Sequence, residues 1–204
     1  ILEKIMYGEY KPLTSYFPSL YEKGEESNPP IEFDPERAKS LLREAGYDRL
    51  DQTGYLVNGA GRRLEFSVAY VSEDTEKFLT IFVEDCKNAG VKVNLERYSW
   101  ATLIKKIDQY DFDAVVIGWS GVLFPDPEQL WHSRHINEPG GSNLPGYQNP
   151  EVDRLIDSLP PIFAPAKRAE IIKQIDRIIY QDVPYILFWE ADYSRLLYKN
   201  IFGR

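Results

Sequence analysis

A single cysteine, Cys86, stands in 204 residues, so the chain can form no internal disulfide. It falls on a stretch of helical periodicity, 74–89, where a small apolar thiol suits a buried place. No apolar run approaches the roughly 20 residues that a membrane-spanning helix needs. Basic residues are short: 24 Lys and Arg stand against 32 Asp and Glu, a net charge of −8. That balance argues against nucleic acid or an anionic membrane surface as partner, because both select for basic patches. Histidine is scarcer still, with only His132 and His135. Gly-x-Ser-x-Gly and the phosphate-binding glycine loop are absent, and Ser120 lacks the flanking pattern of a nucleophile elbow. There are no internal repeats and no low-complexity tract. Ile1-Leu2-Glu3-Lys4-Ile5 opens without a charged n-region and leader. It reads as the last turns of an amphipathic helix, and the expectation is a piece of a longer parent.

Aromatics, in contrast, are plentiful: 14 Tyr, 10 Phe and 4 Trp. Most must be core, but the excess of Tyr and Trp suits a site for ligands of mixed polarity. Residues 10–32, rich in Pro, Ser, Gly and Tyr, read as an extended connection. It is either a strap over the core or a segment that brings Thr14, Ser15, Tyr16 and Phe17 to a ligand. Asp34-Pro35-Glu36 starts a helix and Gly46 ends it, with Ala38, Leu41, Leu42 and Ala45 as the apolar stripe. Residues 51–61 read as a hairpin turning at Asn58-Gly59. Leu64, Phe66, Val68 and Tyr70 alternate as a strand with one buried face. A helix with Phe78, Ile81, Phe82 and Cys86 follows and stops at Gly90. Val91, Val93 and Leu95 make the next strand, and Ser99 caps a short helix through Leu103, Ile104 and Ile107. Beyond lie helices at 150–159 and 166–181, the second striped by Ile171, Ile175, Ile178 and Ile179. Strands follow at 185–189 and 193–198. Strand, helix, strand, helix, strand predicts a mixed α/β fold, a central sheet with flanking helices.

The stretch from Asp111 to Trp131 is expected to organise the rest. Ala114, Val115, Val116 and Ile117 read as a strand buried on both faces. It runs out in Gly118-Trp119-Ser120-Gly121. Small residues leave the backbone open to a ligand, and the indole offers a flat apolar wall with one N–H donor. The alternative is a core tryptophan beside a glycine turn. Asn143, Ser142 and the glycines at 140 and 141 are candidates for polar contacts from a facing loop. His132 and His135, with Glu128 and Glu138 near in sequence, have the spacing of a metal pair, but no second ligand cluster accompanies them. Acid pairs such as Asp111/Asp113, Asp126/Glu128 and Glu190/Asp192 arise by chance in a chain with 32 acids. Binding is therefore favoured over catalysis: a strand end with open backbone pairs with an extended peptide through main-chain hydrogen bonds.

Four segments carry a resemblance. Asp111–Trp131 resembles the Gly-Trp…Asp-Pro segment of the family 5 extracellular solute-binding proteins, receptors for oligopeptides, dipeptides and nickel that feed ABC importers. Phe33–Tyr47 is similar to that family's Asp-Pro…Leu-Leu…Ala-Gly-Tyr helix, Gly146–Ile156 to its Gly-Tyr-x-Asn-Pro-Glu-Val-Asp segment, and Asp182–Ile186 to its Pro-containing strand entry. The opening Tyr7-Gly8-Glu9-Tyr10 and Thr14-Ser15-Tyr16-Phe17 resemble the microcin-C and murein-peptide branch.

The resemblance implies that residues 1–204 are one lobe of a two-lobed clamshell. Its ligand would be a peptide or peptide-like solute, with Gly118, Trp119, Ser120, Gly121, Asn143 and Tyr16 as binding residues. It implies no cofactor, no metal and no catalytic residue. The partner would be a membrane permease, the protein a monomer, and the location periplasmic or extracellular and lipid-anchored. Another small solute, such as a nickel chelate or a sugar, and a sugar or peptide hydrolase stand as alternatives. One departure matters. Many oligopeptide receptors carry an Asp three residues after this Trp, pairing with the ligand's amino group, and here that position is Val122. The usual reading of a free peptide N-terminus is therefore missing or moved.

Overall fold

A computed structural model describes residues 6–21, 25, 27–119 and 125–191. The strands are β1 (Tyr10–Pro12), β2 (Arg49–Leu50), β3 (Leu56–Val57), β4 (Glu65–Tyr70), β5 (Lys92–Arg97), β6 (Ala114–Val115) and β7 (Trp189–Ala191). The helices are α1 (Pro35–Glu44), α2 (Glu73–Asn88), α3 (Trp100–Asp108), α4 (Glu128–Trp131), α5 (Pro150–Asp157) and α6 (Pro165–Asp182). The class is mixed α/β, as the order of elements predicts. The chain divides into two compact units, Glu32–Pro161 and the pair of segments 1–31 and 162–204.

The first of these units is built on a three-stranded parallel sheet in the order β5-β4-β6. Glu65 to Tyr70 pair with Lys92 to Arg97, and Val68 and Ala69 pair with Ala114 and Val115. Val68 and Tyr70 point to one face, where they pack with Leu79 of α2 and Val93. Ala69 points to the other, against Leu103 and Ile107 of α3. Both faces of β4 are thus covered, although its sequence alternates like a one-faced strand. The apparent polar row, Glu65, Ser67 and Ala69, runs from the exposed start of the strand into the core, and the small Ala69 is what lets α3 lie close.

Among the described residues, the stretch expected to be central stands at an edge of the sheet. β6 is two residues long and half-buried, and among the described residues it pairs only with β4. Its apolar residues still serve both faces, Ala114 and Val116 on the α2 side, Val115 and Ile117 on the α3 side. A short apolar run has the same composition whether it lies in the middle of a sheet or at its margin.

Helix ends follow the sequence closely. The carboxylate of Asp34 accepts from Arg37 N at 2.9 Å, Ser99 Oγ from Thr102 N at 3.3 Å, and Asn149 Oδ1 from Glu151 N at 3.0 Å. The apolar stripes follow it less well. In α1 no residue is fully buried; Leu42 reaches the α2-side core while Leu41 stays 47% exposed. In α2 the core face is Leu79, Phe82, Val83 and Cys86. Burial pushes the Cys86 thiol up to about 11, which favours its protonated form. The β2–β3 hairpin turns at 51–55, held by Asp51, whose Oδ1 accepts from Thr53 N at 2.7 Å. The expected turn at Asn58-Gly59 exists as a second one, with Asn58 Oδ1 accepting from Ala60 N and Arg62 N, both at 3.0 Å.

In the other unit, β1 and β7 form an antiparallel pair, with Lys11 3.1 Å from Glu190. α6 buries Ile172, Ile175 and Ile179, and also Asp176 and Tyr180. The predicted stripe is one residue out of phase at its start, because the buried arc includes an acid. The expected helix end over residues 1–9 and the strand at 193–198 lie largely or wholly outside the described residues.

Gly90 closes α2 and seats the hairpin at once. Its φ is +87°, its carbonyl accepts from Leu56 N at 2.7 Å, and a Cβ there would stand 2.6 Å from Leu56 Cγ. Gly90→Ala is expected to cost about 1–3 kcal/mol from the left-handed backbone and the clash together. Chemical denaturation should show the midpoint falling with an unchanged slope.

Candidate ligand site at the carboxyl edge of the sheet

All three strands of the parallel sheet run the same way, so their C-terminal ends share one rim. From β4 the chain passes through α2 to β5 on one side, then through α3 back to β6 on the other. The helices lie on opposite faces, and the rim between β4 and β6 is therefore a switch point, where an open α/β sheet leaves a crevice. Pairing continues toward it, with Tyr98 N donating to Tyr70 O at 2.8 Å and Val116 N to Ala69 O at 2.9 Å. Gly118 and Trp119 follow at this rim. Both are exposed, Trp119 to 54%, and a Cβ at Gly118 would meet nothing within 4 Å. In this fold Trp119 is not a core tryptophan. Ser120 and Gly121, the other residues read for the site here, and Val122, fall outside the described residues.

Asn143 requires a correction. It is fully buried, and its carboxamide is occupied by its own loop. Nδ2 donates to His132 O at 3.2 Å and to Tyr147 O at 3.0 Å, while Oδ1 accepts from Tyr147 N at 2.8 Å. Both amide hydrogens are used, so the side chain holds the loop instead of facing a ligand. The neighbouring Leu144 is thereby seated in the α3-side core. Nearby, Gly140, Gly141 and Ser142 line a surface cavity of about 220 Å³ with Gln129, His135 and Glu138.

The two histidines turn to different partners. His132 is buried between Asp153 and Asp157, 3.4 and 3.3 Å away, and its Nδ1 accepts from Arg134 N at 3.1 Å. His135 Nδ1 lies 2.7 Å from Glu138 Oε2. Among the described residues no group of three or more His, Cys, Asp or Glu is arranged to hold a metal ion.

Tyr16 sits on the strap of the other unit, half-buried. Its hydroxyl donates to Tyr185 O at 3.1 Å. The strap itself is gathered by Asp176 of α6, which no sequence signal singled out. Asp176 Oδ1 accepts from Tyr16 N at 2.8 Å, and Oδ2 accepts from Tyr21 Oη at 2.8 Å and from Asn28 Nδ2 at 3.1 Å. Tyr180 Oη donates to Pro29 O at 3.0 Å, and Lys173 reaches Glu25 at 2.6 Å. A lone acid inside the apolar arc of an otherwise regular helix is the pattern that would have revealed it. Among the described residues, these contacts favour the strap reading of the 10–32 connection.

The fold and rim describe a binding scaffold of mixed α/β type. Residues 1–140 match the bacterial extracellular solute-binding proteins, family 5 middle, and the chain belongs to that family. It is 27% identical over 179 residues to the oligopeptide-binding protein AppA of Bacillus subtilis, covering 86% of this chain and 32% of that protein. It is 29% identical over 158 residues to heme-binding protein A of Haemophilus influenzae, covering 76% of this chain and 27% of that protein. The chain thus spans about a third of the length of these curated relatives. The structure of AppA in complex with a nonapeptide superposes with a TM-score of 0.83 at 25% identity, over 93% of this chain and 38% of AppA. NikZ of Campylobacter jejuni, in complex with Ni(L-His), shares the fold with a TM-score of 0.79 at 20% identity, over 94% of this chain and 38% of NikZ.

Two outcomes follow from the buried polar groups. Asn143→Ala is expected to lower stability by about 3 kcal/mol, since it strands two carbonyls and an amide inside the loop. Faster hydrogen exchange at Leu144 and Tyr147 would locate the damage. Burial, chiefly, pushes the Tyr16 hydroxyl from an ordinary 10.0 up to about 12. Between those values the folded chain keeps a proton that the unfolded chain has lost. Stability from this group is complete below pH ~10 and is lost as pH rises toward ~12. Urea midpoints measured across that window should fall less steeply for Tyr16→Phe than for the native chain.

Proposed function

We propose that the protein carrying this chain is the substrate-binding component of an ABC importer for oligopeptides or peptide-like solutes. The observation that carries the reading is the exposed Gly118-Trp119 at the rim of a switch-point crevice, beside a strand edge with no partner among the described residues. An extended ligand can add to such an edge through main-chain hydrogen bonds, which supply affinity without demanding one sequence, while the indole walls a side chain. That AppA binds a nonapeptide supports the peptide class.

The mechanism is closure of two lobes on the ligand, the closed form being the one a membrane permease receives. Ligand stabilises closure only by the margin with which it prefers the closed state. Binding and release complete the cycle, and no bond is made or broken. The protein acts outside the cytoplasmic membrane, periplasmic or lipid-anchored, as a monomer. With Val122 where an ammonium-pairing Asp is usual, the ligand's free N-terminus is not read here in the usual way.

Native mass spectrometry of the full-length protein, with denaturing release of whatever co-purifies, tests the ligand class. Peptide masses are the expected result, and a single saccharide or metal chelate would overturn it. Trp119→Ala should weaken peptide binding about tenfold, as loss of a central aromatic anchor does, while leaving the thermal midpoint within a degree or so. An equal loss of stability would mean that Trp119 serves the fold instead.

A further inference from the structure

Both histidines of the chain stand in one acidic corner. His132 follows α4 and opens a single 3-10 turn, Ser133–His135. Its side chain is nine-tenths buried, with carboxylates of α5 beside both ring nitrogens. Nδ1 accepts from Arg134 N at 3.1 Å, so a neutral ring carries its proton on Nε2. Nε2 is inaccessible and completes no hydrogen bond, although Asp157 Oδ1 stands 3.3 Å away, outside the bonding direction. Charges face this ring from every neighbouring element. Asp153 accepts from Ser133 N at 2.9 Å, Asp157 from Arg134 Nη2 at 2.5 Å, and Arg134 also lies 3.5 Å from Glu128 of α4. The His135 ring, 6.5 Å from that of His132, faces Glu138 at 2.7 Å and Glu128 at 3.6 Å. Four carboxylates thus surround two imidazoles and one guanidinium.

We propose that His132 is a proton switch between two ways of holding this loop. Neutral, the ring caps the turn through Nδ1 and leaves a buried donor without a bond. Protonated, it offers one N–H to Asp153 and one to Asp157, 3.4 and 3.3 Å away, and fastens the turn to α5 instead. The two states exclude each other at Nδ1, because a nitrogen that carries a proton cannot accept from Arg134 N. An imidazole changes charge between about pH 8 and pH 5, so the exchange falls within the range of ordinary surroundings. The loop that follows depends on the same residue. His132 O accepts from Asn143 Nδ2 at 3.2 Å, and Leu144 lies in the cluster with Val115 and Ile117, which lead to Gly118 and Trp119. The backbone behind the rim is therefore held in a proton-dependent way. This inference needs no particular ligand and stands apart from the peptide reading.

The test is hydrogen exchange of the full-length protein, followed by mass spectrometry from about pH 8 to pH 5 and corrected at each pH for the intrinsic rate. In the native protein, protection over residues 133–136 should fall about fivefold toward acid, the share that one cap contributes, while α2 keeps its protection. His132→Asn offers an acceptor in place of Nδ1 but takes up no proton, and its protection should stay flat. His135→Asn removes the other imidazole and should keep the native response. Asp153→Asn retains an acceptor for Ser133 N but loses the charge, and should move the response to lower pH. A flat native profile overturns the proposal. So does a fall in His132→Asn that matches the native one, or a response abolished by His135→Asn. Should His132→Asn fail to fold, Asp153→Asn decides: a response moved to lower pH supports the switch, and an unmoved one overturns it.

Discussion

Strand β4 is hydrogen-bonded along both of its edges, and most of the larger unit depends on that. Pairing in parallel with β5 and with β6 forces each connection to cross a face of the sheet, and the two crossings use opposite faces. The helices α2 and α3 then bury Val68 and Tyr70 on one side and Ala69 on the other. Because all the strands of this sheet point one way, every strand end and every following helix start come to the same rim, and Gly118 and Trp119 follow β6 there. Six pairs with β5 and two with β6 thus fix where the rim lies. Gly118 and Trp119 are left uncovered at that rim.

Polar groups buried within each unit do a different task. Asp176 and Asn143 are both fully inaccessible, and both are surrounded by donors or acceptors of irregular backbone. A strap or loop without strand or helix partners must find somewhere to place its amides and carbonyls, because leaving them dry and unpaired costs more than any contact they make. Asp176 answers this for the strap with three donors, and Asn143 for the 143–147 loop with three bonds. Each polar side chain allows apolar neighbours to be buried, Phe17 in one unit and Leu144 in the other.

Local features of this fold were legible in the sequence and long-range ones were not. Asp34, Ser99 and Asn149 cap their helices because a cap is a relation among four consecutive residues, and Gly90 ends α2 for the same reason. The resemblance over four separated segments pointed to the family that residues 1–140 match. What failed was neighbourhood. Whether Val115 lies in mid-sheet or at a margin depends on β4, where its partner Ala69 stands 46 residues earlier in the chain and disguised that strand's own burial. Asn143 looked like a ligand contact because a buried carboxamide and an exposed one are written with the same letter. The arc of α6 was misjudged for a like reason: Asp176 interrupts an apolar stripe only until its partners, 148 to 160 residues away, are known.

That separation bears on the order in which the molecule takes shape. Glu32–Pro161 is one uninterrupted segment, so its sheet and both coverings are available as soon as that length of chain has left the ribosome. Residues 13–28 emerge earlier but must wait for Asp176, and β1 must wait for β7. Loop closure over such distances is slow because its entropy is lost before any contact compensates it. The strap and the β1–β7 pair consequently settle after the parallel sheet, the strap when Asp176 arrives and β1 when β7 does.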